Sequence, residues 1–519
     1  MEYRDYRFLG TTESLCPECL RLVSAKILDR DGRVYFRKFC PQHGVREDFV
    51  CADATAYDRL EYTVPARKPA VFGTSVQQGC PFDCGLCTEH EQHTCIGLVE
   101  LTDACNLTCP MCYAASAPGL KHRTWEEVKR AIDRLVEVED GAEVLQLSGG
   151  EPTIAPTFEQ AVEYAMRQRI DYVQINTNGI RLAKDDALIH WLAQYKDRLE
   201  VFLQFDGLDD EVYERLRGRR LLETKLAVLD RLEEAGLNIT LAVTLQAGVN
   251  EQHIGAIVRL AAHRRCIGAI NFQPATYSGR HLLPDDLENR ITFPDVIAAI
   301  EGQTDGLLRR DDFLPLPCAH PNCHQIAYAW RTDAGLQSIA QMIDVRQHLD
   351  LLANGISFTR ASARRLVQEY LARTTCCPSG CAPCSDRTAI VTAGQGAGKL
   401  PMVDVPSRQG MAAAAMTSAC GTGAKAADGV ESSAEAPEDQ FLRQVLTEQI
   451  GARDLLRITI TSFLDSYNFD VRRVMKCCTH HVLPSGHVIP FCAFNTLYRS
   501  GHVPLPELTR AVVSIGQGG

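Results

Sequence analysis

Residues 97–113 read Gly97-Leu98-Val99-Glu100-Leu101-Thr102-Asp103-Ala104-Cys105-Asn106-Leu107-Thr108-Cys109-Pro110-Met111-Cys112-Tyr113, a strand-like run that gives way to three cysteines. The C-x3-C-x2-C spacing supplies three thiolates to a cubane of four irons, whereas a cluster held in full takes four cysteines. One iron is then left without a protein ligand. The competing use of such closely spaced cysteines is a structural zinc site. Because Cys105, Cys109 and Cys112 follow a strand, they fall in a loop at its carboxyl end.

From that stretch onward the chain alternates strand and helix. Strand-like runs are GLVELT (97–102), EVLQLS (143–148), YVQINT (172–177), EVFLQF (200–205), NITLAVTL (238–245) and AINFQP (269–274). Amphipathic stretches separate them, such as 125–138, opened by a capping box at Thr124 and Glu127; a second box at Thr157 and Gln160 opens the next. Parallel strands with helical crossovers predict an α/β fold, an open (β/α)6 barrel. The two further units of a complete eightfold barrel are not evident in the pattern. Ligands of such barrels sit at the carboxyl ends of strands, where Ser148-Gly149-Gly150-Glu151-Pro152, Asn176-Thr177-Asn178-Gly179, Gln204-Phe205-Asp206-Gly207 and Gln273-Pro274 fall. Glycine permits close backbone approach at 149 and 150. Asn-Gly and Asp-Gly are also ordinary turn pairs.

Length, charge and cysteine usage bound the rest. A chain of 519 residues divides into several domains, and 45% apolar with 23% charged residues describes a globular protein. A net charge of −11 argues against a nucleic-acid surface. No apolar run is long enough to span a bilayer, and the start MEYRDYRFLG is not a secretory signal. The 22 cysteines are grouped at metal-ligand spacings, which favours metals in a reducing cytoplasm over disulfides.

Cys16-Pro17-Glu18-Cys19 and Cys40-Pro41-Gln42-His43 are two knuckles joined by a hairpin that turns at Asp31-Gly32. Cys16, Cys19, Cys40 and His43 suit one mononuclear zinc or iron; Cys51 nearby reads as a buried apolar thiol. Cys80, Cys84 and Cys87 repeat the three-then-two spacing, with Cys95 as a fourth thiol for an auxiliary [4Fe–4S] cluster. The other reading leaves Cys95 idle beside a second cofactor-cleaving cluster. A second auxiliary [4Fe–4S] cluster is expected from Cys318 and Cys323 with Cys477 or Cys478 and Cys492. Cys376, Cys377, Cys381 and Cys384 form a separate site or a reactive loop.

These readings divide the chain into a metal-knuckle domain (1–60), an auxiliary-cluster segment (61–98), the barrel (99–285), a helical region with cluster ligands (286–393), an Ala/Gly/Ser-rich insertion (394–440) and a C-terminal cap (441–519).

The Cys105–Cys112 run, with aromatic Tyr113 behind it, resembles the radical-SAM signature, and Gly149-Gly150-Glu151-Pro152 resembles that superfamily's GGEP motif. The resemblance implies that S-adenosylmethionine chelates the open iron on Cys105, Cys109 and Cys112 and is reduced there to a 5′-deoxyadenosyl radical. It also implies a cofactor cleft lined by Met111, Tyr113, Gly149, Gly150, Glu151, Asn176, Asn178, Gln204 and Asp206. The order of knuckles, clusters and the late runs DSYNFDVRRVMKCCTHH and SGHVIPFCAFN resembles a multi-cluster group that includes archaeal tetraether lipid synthase. That group was once described as class D radical-SAM methylases acting on a pterin.

The leading expectation from that resemblance is coupling of lipid chains through an sp3–sp3 carbon–carbon bond. The alternative is methyl transfer to a pterin-like heterocycle; an iron–sulfur electron carrier is a third reading. Aligned aliphatic side chains below Cys105–Cys112 would mark a lipid site, whereas polar groups and a stacking surface would mark a pterin site. Implied partners are a lipid or small-molecule substrate and an electron donor such as ferredoxin or flavodoxin, with no nucleic acid. Arg215, Arg217, Arg219, Arg220 and Lys225 read either as a contact with anionic headgroups at a membrane surface or as a solvated helix face.

Overall fold

The computed structural model describes residues 4–333, 335–343, 345–352, 368–370, 437–446, 450 and 452–509. Arg7–Leu15 (β1), Leu22–Arg30 (β2), Arg33–Cys40 (β3) and Gly44–Cys51 (β4) form an antiparallel sheet in chain order. β2 and β3 turn at Asp31 and Gly32, both at positive φ, as a two-residue hairpin requires.

The six expected parallel strands are Ile96–Glu100 (β5), Ala142–Ser148 (β6), Ile170–Thr177 (β7), Leu199–Gln204 (β8), Asn238–Leu245 (β9) and Ile267–Pro274 (β10). Each lies beside the next. Alternation along them is strict where it matters: Leu145, Leu147, Val173, Ile175, Val201, Leu203, Ile239 and Leu241 all join one core with the helices. Their neighbours in sequence face the other way, into the barrel. The helix Trp125–Glu139 (α1) begins with the expected box, Thr124 Oγ1 accepting from Glu127 N. The second expected box is absent, because Thr157 makes no side-chain cap to the helix Phe158–Met166 (α2).

The rest of the sheet differs from the sixfold expectation. The stretch from 286, expected to be helical, gives the helix Phe293–Gln303 (α3) and then strands Leu314–Pro315 (β11), His324–Thr332 (β12) and Gly335–Ser338 (β13). Leu455–Thr461 (β14), Thr479–Val482 (β15) and Val488–Pro490 (β16) follow late in the chain. β14 lies parallel to β10, with Ala269 opposite Arg457, and β15 lies parallel to β5, with Thr479 opposite Ile96. Eight strands therefore run parallel, from β14 through β10 and β5 to β15, flanked by antiparallel β12 and β16. Neither added strand follows its neighbour through a helical crossover, so neither showed in the alternation.

All these strands belong to one compact unit, Met1–Ala363 with Glu448–Gly519. Cys376, Cys377, Cys381 and Cys384 lie outside the described residues, as does most of the expected insertion. Among the described residues no helix is long and apolar enough to cross a membrane.

Candidate active site and thiol groups

At the carboxyl end of β6 the chain is laid directly onto the loop after β5. Gly150 N donates to Thr102 O at 2.8 Å and Glu151 N to Ala104 O at 3.0 Å. A Cβ on Gly149 would stand 2.3 Å from Thr102 O, and one on Gly150 would stand 2.2 Å from Ala104 O. Gly149 also has φ +131°, a conformation that side chains rarely adopt. Glycine is required at both positions, and the contact fixes where Cys105 starts. Further along the loop, Arg280 Nε donates to Cys109 O at 2.6 Å, and Cys112 N donates to Arg280 O at 2.8 Å.

Cys105, Cys109 and Cys112 line a cavity of about 260 Å3 that runs down the barrel interior. Donors point at their sulfurs: Leu107 N lies 3.4 Å and Asn178 Nδ2 3.9 Å from Cys105 Sγ. Burial pushes the Cys109 thiol up, and the Arg217 guanidinium beside it pulls it back. Arg217 is itself held by Asp206, Nε and Nη2 each donating to a carboxylate oxygen at 2.7 Å, and by Thr244 Oγ1 at 2.9 Å. Such N–H groups suit anionic sulfur.

The expected cleft residues divide in two. Met111, Tyr113, Gly149, Gly150, Asn176, Asn178 and Gln204 line the cavity. Glu151 and Asp206 do not line it and are almost wholly buried behind it. Glu151 accepts from Thr153 Oγ1 at 2.5 Å, Thr177 Oγ1 at 2.7 Å and Asn178 N at 2.8 Å. It clasps the end of β7 through these bonds. Asp206 likewise positions Arg217.

Deeper in the barrel the lining is mixed: Gln146, Gln174 and Asn176, Glu200 and Gln204, Thr240 and Thr244, Asn271 and Gln273, and Thr459 and Thr461 stand among Ile96, Leu98, Val144, Tyr172, Phe202 and Leu455. A directional chain crosses three of these strands. Gln146 Nε2 donates to Gln174 Oε1 at 2.9 Å, and Gln174 Nε2 donates to Glu200 Oε1 at 2.7 Å.

Among the described residues, the other cysteines form four groups, with Cys51 and Cys266 apart. The ligand atoms of Cys16, Cys19, Cys40 and His43 lie within 4.8 Å of one another, as the knuckles predicted. Backbone N–H groups from Gln42 and His43 pull the Cys40 thiol down to about 6. Cys80 and Cys84 meet, with Cys87 close by. Cys95 is bonded elsewhere: its thiol hydrogen-bonds with those of Cys318 and Cys478, and His93 Nε2 lies 3.6 Å away. The cause is the pairing of β15 with β5, where Cys95 N donates to Cys478 O at 2.9 Å.

Cys323, Cys477 and Cys492 make the fourth group. Burial and mutual repulsion push the Cys477 thiol well up, and Arg473 Nε lies 3.4 Å from Cys323 Sγ. The single group expected from Cys318, Cys323, Cys477 or Cys478, and Cys492 is thus two. Neighbours on extended chain point to opposite sides, so Cys477 and Cys478 serve different groups. Cys51 is the buried thiol expected, pushed up to about 12 by its burial.

A model of the radical SAM superfamily matches residues 99–261, and one described as an HMPTM N-terminal zinc ribbon domain matches residues 8–52. A Methanocaldococcus jannaschii protein named 7,8-dihydro-6-hydroxymethylpterin dimethyltransferase is 31% identical over 536 residues, 96% of this chain and 97% of its own. The chain belongs to the radical SAM superfamily. The mycofactocin maturase MftC of Mycolicibacterium smegmatis is 30% identical over 167 residues, 31% of this chain and 40% of its own. The crystal structure of Streptococcus suis SuiB bound to S-adenosylmethionine overlaps 41% of this chain and 47% of its own, at 18% identity and a TM-score of 0.34.

Two basic residues of the radical SAM barrel were misread in the sequence. Arg217 lines the cavity, and Lys225 is fully buried, donating to Asn178 O at 2.6 Å, with burial pulling its ammonium down to about 8. Only Arg215, Arg219 and Arg220 remain exposed, and Arg220 pairs with Asp210 at 3.3 Å. The five therefore form neither a headgroup patch nor one solvated face. The helix Asp210–Arg217 carried a signal: Arg217 follows Tyr213 by four residues, on the buried side.

Proposed function

We propose that this radical SAM enzyme transfers a methyl group to a pterin-like heterocycle. The near full-length likeness to the Methanocaldococcus jannaschii protein carries the reading, and the polar groups on successive strands of the barrel cavity support it. A lipid tunnel would present an unbroken run of aliphatic side chains below Cys105–Cys112, whereas here Ile96, Leu98, Val144 and Leu455 are interrupted by amide, hydroxyl and carboxylate groups on the same strands. Amide, hydroxyl and carboxylate groups suit ring nitrogens, and Phe202 in the same lining offers a stacking face. The name of the Methanocaldococcus jannaschii relative agrees with this choice.

Cys105, Cys109 and Cys112 would hold the [4Fe–4S] cluster, and the N–H donors aimed at Cys105 and Cys109 fit that use. With S-adenosylmethionine bound, the cluster supplies the electron that cleaves it to a 5′-deoxyadenosyl radical. The chain's own part is placement. Gly149 and Gly150 bring backbone to the cleft, Glu151 fixes Asn178, and Asp206 holds the Arg217 cation where a ligand carboxylate can meet it. Ferredoxin or flavodoxin is the proposed electron donor.

The test is an anaerobic reaction with dithionite, a dihydropterin and S-adenosylmethionine labelled in its methyl group. Labelled methylpterin is expected by mass spectrometry. Release of 5′-deoxyadenosine with no label in the pterin, and coupled product from an isoprenoid lipid instead, overturns the reading.

Auxiliary clusters are proposed at Cys80/Cys84/Cys87 and at Cys323/Cys477/Cys492, with a single zinc or iron at Cys16/Cys19/Cys40/His43. Because Cys95 stands with Cys318 and Cys478, any iron lost in Cys95→Ala should add to the roughly four irons lost in Cys84→Ala. A Cys84→Ala/Cys95→Ala double variant measures this by iron and sulfide content. A Cys95→Ala loss that disappears in the Cys84→Ala background returns Cys95 to the first group.

A further inference from the structure

We infer that Cys95, Cys318, Cys478 and His324 form a further metal site, a Cys3His centre for one zinc ion that clasps the two ends of the main sheet together, whichever substrate the barrel takes.

The four residues come from opposite ends of that sheet. Cys95 immediately precedes β5 and Cys478 immediately precedes β15, and Cys95 N donates to Cys478 O at 2.9 Å. Cys318 lies in the loop between β11 and β12, and His324 is the first residue of β12. Leu316 N donates to His324 O at 3.0 Å, which ties the loop carrying Cys318 to the strand carrying the imidazole. In the strand order β12 stands near one end and β15 near the other, and among the described residues no backbone ladder joins them. Side chains cross that seam instead. The Cys95 thiol hydrogen-bonds with that of Cys318, and Cys478 Sγ lies 3.8 Å from His324 Nε2.

The three thiols are at most 1% exposed and His324 is 6% exposed. Buried thiols alone serve as small apolar fillers. Imidazole nitrogens aimed at their sulfurs point to a metal. Thr461 Oγ1 lies 3.2 Å from His324 Nδ1, where it can accept the ring proton and leave the Nε2 lone pair facing Cys478. A second imidazole serves the sulfurs differently. His93 Nδ1 accepts from Arg67 Nη2 at 3.2 Å, so its proton sits on Nε2, 3.6 Å from Cys95 Sγ. Glu139 Oε2 is 3.3 Å from the same Nδ1 but makes no hydrogen bond with it. An N–H donor suits a thiolate, the form in which cysteine binds metal.

The spacing selects one ion over a cluster. Bonds of about 2.3 Å to sulfur and about 2.0 Å to nitrogen place the two ligand atoms about 3.6 Å apart in a tetrahedron. Cys478 and His324 are already close to that. An iron–sulfur cube holds its cysteine sulfurs much further apart than thiols that share hydrogen bonds through Cys95. Four protein ligands close the tetrahedron, so the ion is structural, and its binding releases the thiol protons. His324 and Thr479 both line the barrel cavity, so the clasp holds that part of the cavity wall in place.

The experiment counts metals in the full chain, reconstituted anaerobically with iron, sulfide and zinc and freed of loose ions. Cys16→Ala/Cys19→Ala empties the ribbon site, so any zinc that remains reports the clasp. One zinc per chain is expected to remain, and its X-ray absorption should show three sulfurs and one nitrogen. Adding Cys318→Ala should remove that zinc and leave iron and sulfide unchanged, with faster amide hydrogen exchange in β12 and β15. Adding His324→Ala instead keeps the three thiolates, so zinc should stay with oxygen in place of the nitrogen. No zinc in the ribbon variant, zinc that survives Cys318→Ala, or loss of about four irons with their sulfide in place of the zinc overturns the clasp. If Cys318→Ala fails to fold and sheds all its metal, the His324→Ala spectrum decides, and a nitrogen that persists there overturns the ligand set.

Discussion

Replacing Asp206 by alanine is expected to cost about 3–5 kcal/mol of stability, the range for stranding one partner of a buried ion pair. Asp206 is fully buried, and the Arg217 side chain it holds is 8% exposed. Both Arg217 nitrogens donate to the carboxylate at 2.7 Å, and Thr244 N donates to it at 3.1 Å. Without the carboxylate the guanidinium keeps Thr244 Oγ1 and the nearby Cys109 sulfur, which do not offset a desolvated charge. Thermal or denaturant unfolding of the anaerobically purified protein measures the change. Glu159→Ala is the comparison, since Glu159 and Arg181 form an exposed pair at 3.5 Å that contributes at most about 1 kcal/mol. Equal effects of the two substitutions would show that Arg217 reaches water when Asp206 is gone.

Gly150→Ala should damage the cofactor site severely. The new Cβ would meet Ala104 O at 2.2 Å, and the obstacle is backbone that cannot rotate aside. Relief requires the two chains to part, which breaks the bonds from Gly150 N to Thr102 O and from Glu151 N to Ala104 O. Overpacking of this kind costs about 1–3 kcal/mol. The function suffers more, because the displaced segment leads straight into Cys105. Binding of S-adenosylmethionine is expected to fall at least about 100-fold, since a misplacement near 1 Å is enough for that. Gly302→Ala is the control: nothing stands within 4 Å of its added Cβ, and it lies inside a helix, so it should stabilise by roughly 0.5–1 kcal/mol. An unchanged affinity in Gly150→Ala would mean the loop after β5 is free to slide.

The contrast between these sites shows what could be read in advance. The β/α alternation, the knuckles and the cysteine loop are local patterns, and a local pattern survives in sequence. The partners of Cys95 do not. Cys478 comes to it because β15 adds to β5, a pairing across nearly 400 residues that no spacing records, and Cys318 comes from the loop between β11 and β12. Arg217 was misjudged for a different reason. Its charge suggested a surface, while its place four residues after Tyr213 put it inside, and Asp206 made burial tolerable. The inward polar residues were legible too. Reading every second position from Gln146, Gln174 and Thr240 gives an interior in which polar side chains alternate with Val144, Tyr172 and Ala242, which bears on the choice between lipid and ring.

β14 and β15 come from the last stretch of the chain, yet they flank strands made far earlier. While the ribosome is still adding residues before 455, β5 and β10 have bare edges, and Cys95 lacks both its thiol companions. The Cys95/Cys318/Cys478 and Cys323/Cys477/Cys492 groups therefore assemble only after the tail has been made, because sets drawn from distant segments exist only in the completed fold. The knuckles at 16–43 are contiguous and can capture their ion on a nascent chain. The chain thus completes its thiol groups at different times, the ribbon's early and those that need the tail last.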